Sequence, residues 1–145
     1  MGNAGVYCLV LRVSQASRVE VRRLGRRAFP RGWYVYTGSA KRNLEARLTR
    51  HLRRRKRFHW HIDYLREKAT VQEVWVWPWA LGAECRTNQM VHRMAQAGYP
   101  CRGFGASDCR CPAHLVSFPS QPALPESRPP FRYWVHGTRL IRMEG

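Results

Sequence analysis

The sequence predicts a small α+β domain: a central three-stranded antiparallel sheet flanked by helices. Three observations carry this. Gly5–Val13 is apolar at nearly every position, the pattern of a strand buried on both faces. Trp33–Thr37 is a second run of aromatic and β-branched residues that leads into Gly38. Leu44, Leu48 and Leu52 recur at four-residue spacing, the apolar stripe of an amphipathic helix. At 145 residues, with 44% hydrophobic and 12% aromatic content, the chain is long enough for one domain with a real core.

In chain order, Gly5–Val13 is expected to be the central strand and Ser14–Ser17 a turn. Arg18–Arg23 alternates, with Val19 and Val21 inward, as a half-exposed strand does. Leu24–Gly32 reads as a basic loop punctuated by Gly25, Pro30 and Gly32. Trp33–Thr37 then completes the sheet, with Tyr7 and Tyr36 placed to face one another across it. Gly38 allows close backbone approach or a positive φ, and with Ser39 and Ala40 it marks a tight turn into a helix. Asn43 is the expected N-cap of that helix, with Glu45 in the first turn. Arg47 and His51, four residues apart, share a face beside the leucine stripe.

Arg50 and the run Arg53–Arg57 are expected to point to solvent at the helix C-terminus. Phe58–Leu65 (FHWHIDYL) is too polar for a core strand and reads as a loop entering a short helix near the site. Val71–Trp77 is the next strand. Ala83–Ala97 is a helix burying Ala83, Thr87, Met90, Val91, Met94 and Ala97, and Gly98 ends it. Cys101–His114 is a Gly/Cys-rich loop and Leu115–Phe118 a short strand. Residues 1–118 thus form one domain. Residues 119–145 comprise a Pro-rich linker, Pro119–Pro130, and a C-terminal extension whose alternating Phe131–Met143 docks on the same domain as a hairpin or strand.

The charge is lopsided. Lys and Arg number 26 against 9 Asp and Glu, a formal net charge of +17. Solvation needs no such excess; an acidic partner does, nucleic acid before an anionic membrane surface. No apolar run approaches the roughly 18 residues of a spanning helix. The N-terminus lacks the basic-then-apolar pattern of a secretory leader. Five cysteines, an odd number, suit reduced thiols in the cytoplasm or metal ligands better than a disulfide framework.

Several residues have the chemistry that phosphodiester hydrolysis needs. A phenol, Tyr7 or Tyr36, can serve as base if a nearby cation lowers its pKa. The Arg47 guanidinium can fork two bonds to a phosphate. His51 can pass a proton or hold a tyrosine. Glu84 opens a helix with few other acids about, and Mg²⁺ commonly uses one or two carboxylates plus water and substrate phosphate. Lys41, Arg50, Arg53, Arg54, Arg55, Lys56 and Arg57 are candidates for sequence-independent backbone contacts. Each has a plainer reading: sheet aromatics, a solvated basic face, a carboxylate complementing a helix dipole. His59, His61 and Asp63 read first as structural.

Taken in order, Gly5-Val-Tyr7, Tyr36-Thr-Gly38, Arg47 with His51 on one helix, and Glu84 on a later one resemble the GIY-YIG nuclease superfamily. WHIDYL (Trp60–Leu65), AEC (Ala83–Cys85) and GFGASDCRCPAHL (Gly103–Leu115) are similar to a compact branch of it. That branch is largely a domain of unknown function, sometimes joined to DNA-repair glycosylases. The resemblance covers about residues 4–118 and implies a GIY-YIG-like fold and cleavage of DNA with one Mg²⁺ or Mn²⁺. It implies Tyr7 as general base, Tyr36 as positioner of phosphate or water, Arg47 as transition-state cation and Glu84 as metal ligand. His51 matches a histidine of some restriction-enzyme members. The stretch between Tyr7 and Tyr36 is longer than the family's short hairpin, so an added strand must be accommodated. Ser39 stands where repair members often carry lysine, and Gln96 or Asn88 stands in for the polar residue that follows the glutamate.

The expected function is a metal-dependent DNA endonuclease, with DNA repair as its setting. The alternative is a non-catalytic, basic nucleic-acid-binding module on the same scaffold, with RNA as a second ligand class. Cys85, Cys109, Cys111 and His114 could complete a tetrahedral zinc site in C-x-C-x₂-H spacing. The favoured reading of that loop is a clasp of buried thiols, with zinc second. Ser107 and Asp108 border the expected cleft.

Overall fold

The computed structural model describes residues 2–143. Its centre is an antiparallel sheet of six strands, in the order β6-β4-β1-β5-β7-β8. Strand β1 (Gly5–Val13) lies between β4 (Gly32–Ala40) and β5 (Thr70–Trp77), and both of its faces are covered, as its apolar run requires. Strand β6 (Leu115–Phe118) pairs with the outer edge of β4. The hairpin β7 (Phe131–His136) and β8 (Arg139–Arg142) extends the sheet from β5.

The sheet is therefore twice the expected three strands. The reason is that both edges flanking the central trio are filled by segments from far along the chain. Strand β2 (Ser17–Val21), by contrast, leaves the sheet: it pairs with β3 (Gly25–Phe29) in a separate two-stranded sheet and not with β1. The expected basic loop thus carries a strand. Arg23 and Gly25, at φ 68° and 79°, close the turn between them, and so short a closure costs little chain entropy. The added hairpin takes up the long stretch between Tyr7 and Tyr36.

One face of the sheet presents Tyr7, Leu9, Leu11, Tyr34 and Tyr36 to helices α1 (Leu44–Leu52) and α2 (His61–Arg66), the β2–β3 hairpin and Phe104. The other presents Cys8, Val10, Val35, Trp75 and Val116 to α3 (Ala83–His92), with Val91 in the core and Met90, Met94 and Ala97 packed against it. Helix α3 is shorter than expected. Beyond His92 the chain makes tight turns, Met94 N–H to Val91 O and Ala97 N–H to Met94 O, and Gln96 adopts φ 65°. The C-terminal segment pairs with β5 through β7. Trp77 Nε1 donates to Ser127 O at 3.1 Å, which pins the Pro-rich linker across the sheet. Residues 144 and 145 of that extension lie outside the described residues.

Three local expectations are corrected. Gly38 and Ser39 are not a turn, because β4 continues to Ala40. Asn43 sits at φ 56° and makes no side-chain cap; Asn3 Oδ1 instead accepts from the Asn43 N–H at 2.8 Å. Arg50 and Lys56 are not a solvated face. Arg50 Nη1 and Nη2 fork onto the buried Asp63 carboxylate at 3.0 and 2.9 Å, and Lys56 Nζ lies 3.6 Å from it. Lys56 Nζ also donates to the Arg50 and His51 carbonyls, which caps α1. Asp63 further accepts from the His59 and Trp60 amides at 2.8 and 2.9 Å. Burial alone would raise its pKa, but these donors hold it low. Among the described residues no helix is long and apolar enough to cross a membrane.

Candidate active site and adjoining metal-ligand cluster

The sheet places the two tyrosines. Tyr7 lies opposite Gly38 and Tyr36 opposite Leu9, so the phenols are diagonal neighbours on one face. Gly38 is needed for close approach and not for its φ: a Cβ there would sit 2.7 Å from Tyr7 Oη. Gly105 makes room for Tyr36, where a Cβ would lie 2.9 Å from the ring, and its φ of 69° favours glycine as well.

Helix α1 supplies the next two groups from the face expected. His51 is buried beneath both tyrosines, and its Nε2 lies 2.7 Å from Tyr7 Oη. Burial, then the nearby Lys56 cation, lowers its pKa to about 3, so the imidazole is neutral at pH 7. Its Nδ1 has no hydrogen-bond partner among the described residues. Burial pushes the Tyr7 pKa well up, and Tyr36 and Glu84 add to that; Arg47 works against them. Tyr36 is raised in the same way. Tyr7 is therefore a neutral phenol whose hydroxyl faces a neutral base.

This arrangement predicts acid sensitivity. Unfolded His51 binds a proton near pH 6.5, but folded His51 binds one only near pH 3. Between those values the unfolded chain holds the extra proton, so stability falls as pH drops from about 6.5, by up to about 1.4 kcal/mol per pH unit. Urea midpoints between pH 7 and pH 4 should decline less steeply for His51→Gln than for wild type. Equal slopes would mean that other groups cause the decline.

Ser39 joins the remaining parts. Its carbonyl accepts from Arg47 Nη1 at 2.6 Å, and its hydroxyl donates to Glu84 Oε1 at 2.6 Å. Glu84 comes from the first turn of α3, and its Oε2 lies 3.1 Å from His114 Nδ1. Partial burial would raise the carboxyl pKa, but the hydrogen bonds from His114 and Ser39 and the Arg47 charge bring it below the usual value. Tyr7, Tyr36, Arg47, His51 and Glu84 thus gather around residues 36–39, although they come from four elements.

The cysteine loop reaches the same place from behind. His114 is fully buried. Its Nδ1 also lies 3.2 Å from Thr37 O, and its Nε2 faces Cys109 Sγ at 3.3 Å and Cys85 Sγ at 3.8 Å. The donor atoms of Cys85, Cys109, Cys111 and His114 all lie within 4.8 Å of one another. This cluster could hold a metal ion, and three sulfurs with an imidazole suit Zn²⁺ better than Mg²⁺. Burial and the two neighbouring thiols push the Cys85 thiol up to about 12. Asn88, one of the two candidates for the polar residue expected after the glutamate, donates to Ala113 O at 2.7 Å and so anchors the loop next to His114. Gln96, the other, is exposed and lies beyond α3.

Some contributors had no clear sign in the sequence. Trp60 lies under two cations, with Arg47 Cζ 5.1 Å and Arg50 Cζ 4.5 Å from its ring centroid. A cleft of about 130 Å³ is lined by Tyr36, His59, Trp60, His61, Ser107 and Asp108. It adjoins a second of about 260 Å³ that Arg22 and Arg23 border. His61 Nδ1 accepts from the Gly105 amide at 2.8 Å, so this histidine holds the loop beside Tyr36. The polar FHWHIDYL run was the available signal for Trp60; nothing in the sequence pointed to Arg22 and Arg23. Of the basic candidates, Lys41, Arg53, Arg54, Arg55 and Arg57 are exposed.

A family model described as "Domain of unknown function DUF123" matches residues 6–129. No curated protein and no solved structure matches the chain.

Proposed function

This chain belongs to the DUF123 family, and we propose that it is a metal-dependent endonuclease hydrolysing phosphodiester bonds in DNA, with repair as the setting. The observation that carries the reading is the 2.7 Å approach of Tyr7 Oη to a neutral His51 Nε2, beside Arg47 and Glu84. A phenol this deeply buried makes a poor free phenolate. It makes a good relay. Water attacks phosphorus and gives its proton to Tyr7 Oη as the tyrosine's own proton moves onto His51 Nε2; with a pKa of about 3 the imidazole does not keep that proton at neutral pH and passes it on to solvent. The P–O bond to the leaving oxygen breaks, and that oxygen takes a proton from solvent. Arg47, held by the Ser39 carbonyl, stabilises the charge gathering on the non-bridging oxygens. Tyr36, on the cleft side, orients the phosphate or the water.

Glu84 fits the single metal ligand that the GIY-YIG resemblance implies. Each of its oxygens already accepts one hydrogen bond and keeps lone-pair capacity for a cation. One carboxylate plus water and phosphate is an ordinary Mg²⁺ environment. When bound, Mg²⁺ or Mn²⁺ supplies Lewis-acid stabilisation of the phosphoryl oxygens. The +17 charge and the exposed Lys41, Arg53, Arg54, Arg55 and Arg57 favour salt-sensitive backbone binding. Five unpaired cysteines favour a reducing compartment such as the cytoplasm.

The near-complete burial of Tyr7 favours a second reading, a nucleic-acid-binding module without turnover. A panel of supercoiled, nicked, branched and base-damaged DNA separates the two. The nuclease reading expects nicking that needs Mg²⁺ or Mn²⁺ and stops with chelator. Salt-sensitive binding to every substrate with no cleavage would establish the module instead.

A further inference from the structure

We propose that Cys85, Cys109, Cys111 and His114 bind one structural Zn²⁺, and that this ion orients the imidazole that braces Glu84. The site is built by the tertiary fold. Cys85 rides the first turn of α3, Cys109 and Cys111 come from the following loop, and His114 lies just before β6. A tetrahedral zinc ion has bonds of about 2.3 Å to sulfur and about 2.0 Å to nitrogen, so its donors stand roughly 3.5–3.8 Å apart. The spacings of 3.3 and 3.8 Å from His114 Nε2 to two of the sulfurs match this, with all four donors inside 4.8 Å. Four protein ligands close the coordination sphere, which marks a structural ion and not a hydrolytic one.

The backbone around the cluster is already fixed. The His114 N–H donates to Phe104 O at 2.7 Å, and the His114 carbonyl accepts from the Thr37 N–H at 3.0 Å. Gly103 N–H donates to Pro112 O at 2.6 Å. No disulfide competes for the thiols. Cys8 and Cys101 lie apart from the cluster, each in the apolar core on one side of the sheet.

The consequence for Glu84 follows from the two ring nitrogens. With Nε2 on zinc, the proton of a neutral His114 sits on Nδ1, which faces Glu84 Oε2 at 3.1 Å and Thr37 O at 3.2 Å. This is the carboxylate–histidine–zinc arrangement that fixes tautomer and ring orientation. It also gives the AEC tripeptide a physical meaning: adjacent residues of one helix turn serve two sites, Glu84 toward the tyrosines and Cys85 toward the zinc. The claim about Glu84 rests on the nuclease reading; the zinc site itself does not.

The test uses the full chain purified under reducing conditions from zinc-supplemented medium, with metal content measured by mass spectrometry. The expected result is about one zinc per chain, lost in the double variant Cys109→Ser, Cys111→Ser and kept in the control Cys101→Ser. If the double variant does not fold, cobalt exchanged into the intact wild-type chain decides. Thiolate-to-cobalt charge transfer with four-coordinate d–d bands and a one-to-one endpoint supports the site. Purified chain that lacks zinc and takes up none, a double variant that retains stoichiometric zinc, or a six-coordinate cobalt spectrum overturns it. No nucleic acid enters the measurement, so zinc binding and nuclease activity can fail separately.

Discussion

Glu84→Gln should lower Mg²⁺-dependent nicking by about 10³-fold, equivalent to about 4 kcal/mol of lost transition-state stabilisation. The amide keeps the size of the carboxylate, and its Oε1 can still accept from the Ser39 hydroxyl, which spans 2.6 Å in the wild type. It loses the charge, and with it the hold on a hard cation, and also the acceptor that faced His114 Nδ1 at 3.1 Å. The exposed arginines proposed to contact the DNA backbone are untouched, so affinity without divalent ions should stay within about twofold, each phosphate contact adding its own salt-dependent share. Single-turnover nicking rates alongside fluorescence anisotropy on the same duplex give both quantities. A variant that cleaves at the wild-type rate would remove Glu84 from the reaction. A variant that neither cleaves nor binds would point to a folding defect, which thermal unfolding detects.

Tyr7→Phe should cost about 10²–10⁴-fold in cleavage, the usual worth of a positioned acid–base group. The substitution removes one oxygen from a fully buried ring packed against Gly38 and changes no apolar contact. It also strips His51 Nε2 of its partner at 2.7 Å, and His51 Nδ1 already has none among the described residues. A buried polar group left unpaired costs about 1–3 kcal/mol, so a modest drop in stability should accompany the loss of rate. Nicking measured well below the unfolding temperature separates the two effects. If the variant is less stable yet cleaves like wild type, Tyr7 is a core residue and the relay is wrong. Tyr36→Phe is the useful companion: on the cleft side, it should weaken positioning and cost less.

Much of the fold was legible because it depends on local patterns. The continuous apolar run of β1 reported its burial on two faces, and the leucine stripe of α1 reported the side turned to the sheet. Alternation in Phe131–Met143 pointed to a hairpin or strand, and the segment is the β7–β8 hairpin paired with β5. The expectation failed where pairing partners had to be chosen. Val19 and Val21 alternate as any strand on this surface would, and nothing in that pattern distinguishes pairing with β1 from pairing with Gly25–Phe29. Arg50 and Lys56 look like any other members of a basic run until Asp63, from a later helix, lies beside them.

The candidate site divides the same way. Residue type and order alone pointed to two phenols, a guanidinium, an imidazole, a carboxylate and a Cys/His loop, because those functional groups are written in the chain. The protonation states were not written there. That His51 is neutral and Tyr7 undissociated follows from burial, which only packing creates. Nor could the chain order reveal that Ser39 ties Arg47 to Glu84, or that His114 lies between Glu84 and three thiols. Chemical identity is a property of each residue, whereas distance, desolvation and hydrogen-bond partner belong to pairs brought together from elements far apart in the chain. The sequence by itself determined which groups were available, and the tertiary structure decided which of them meet.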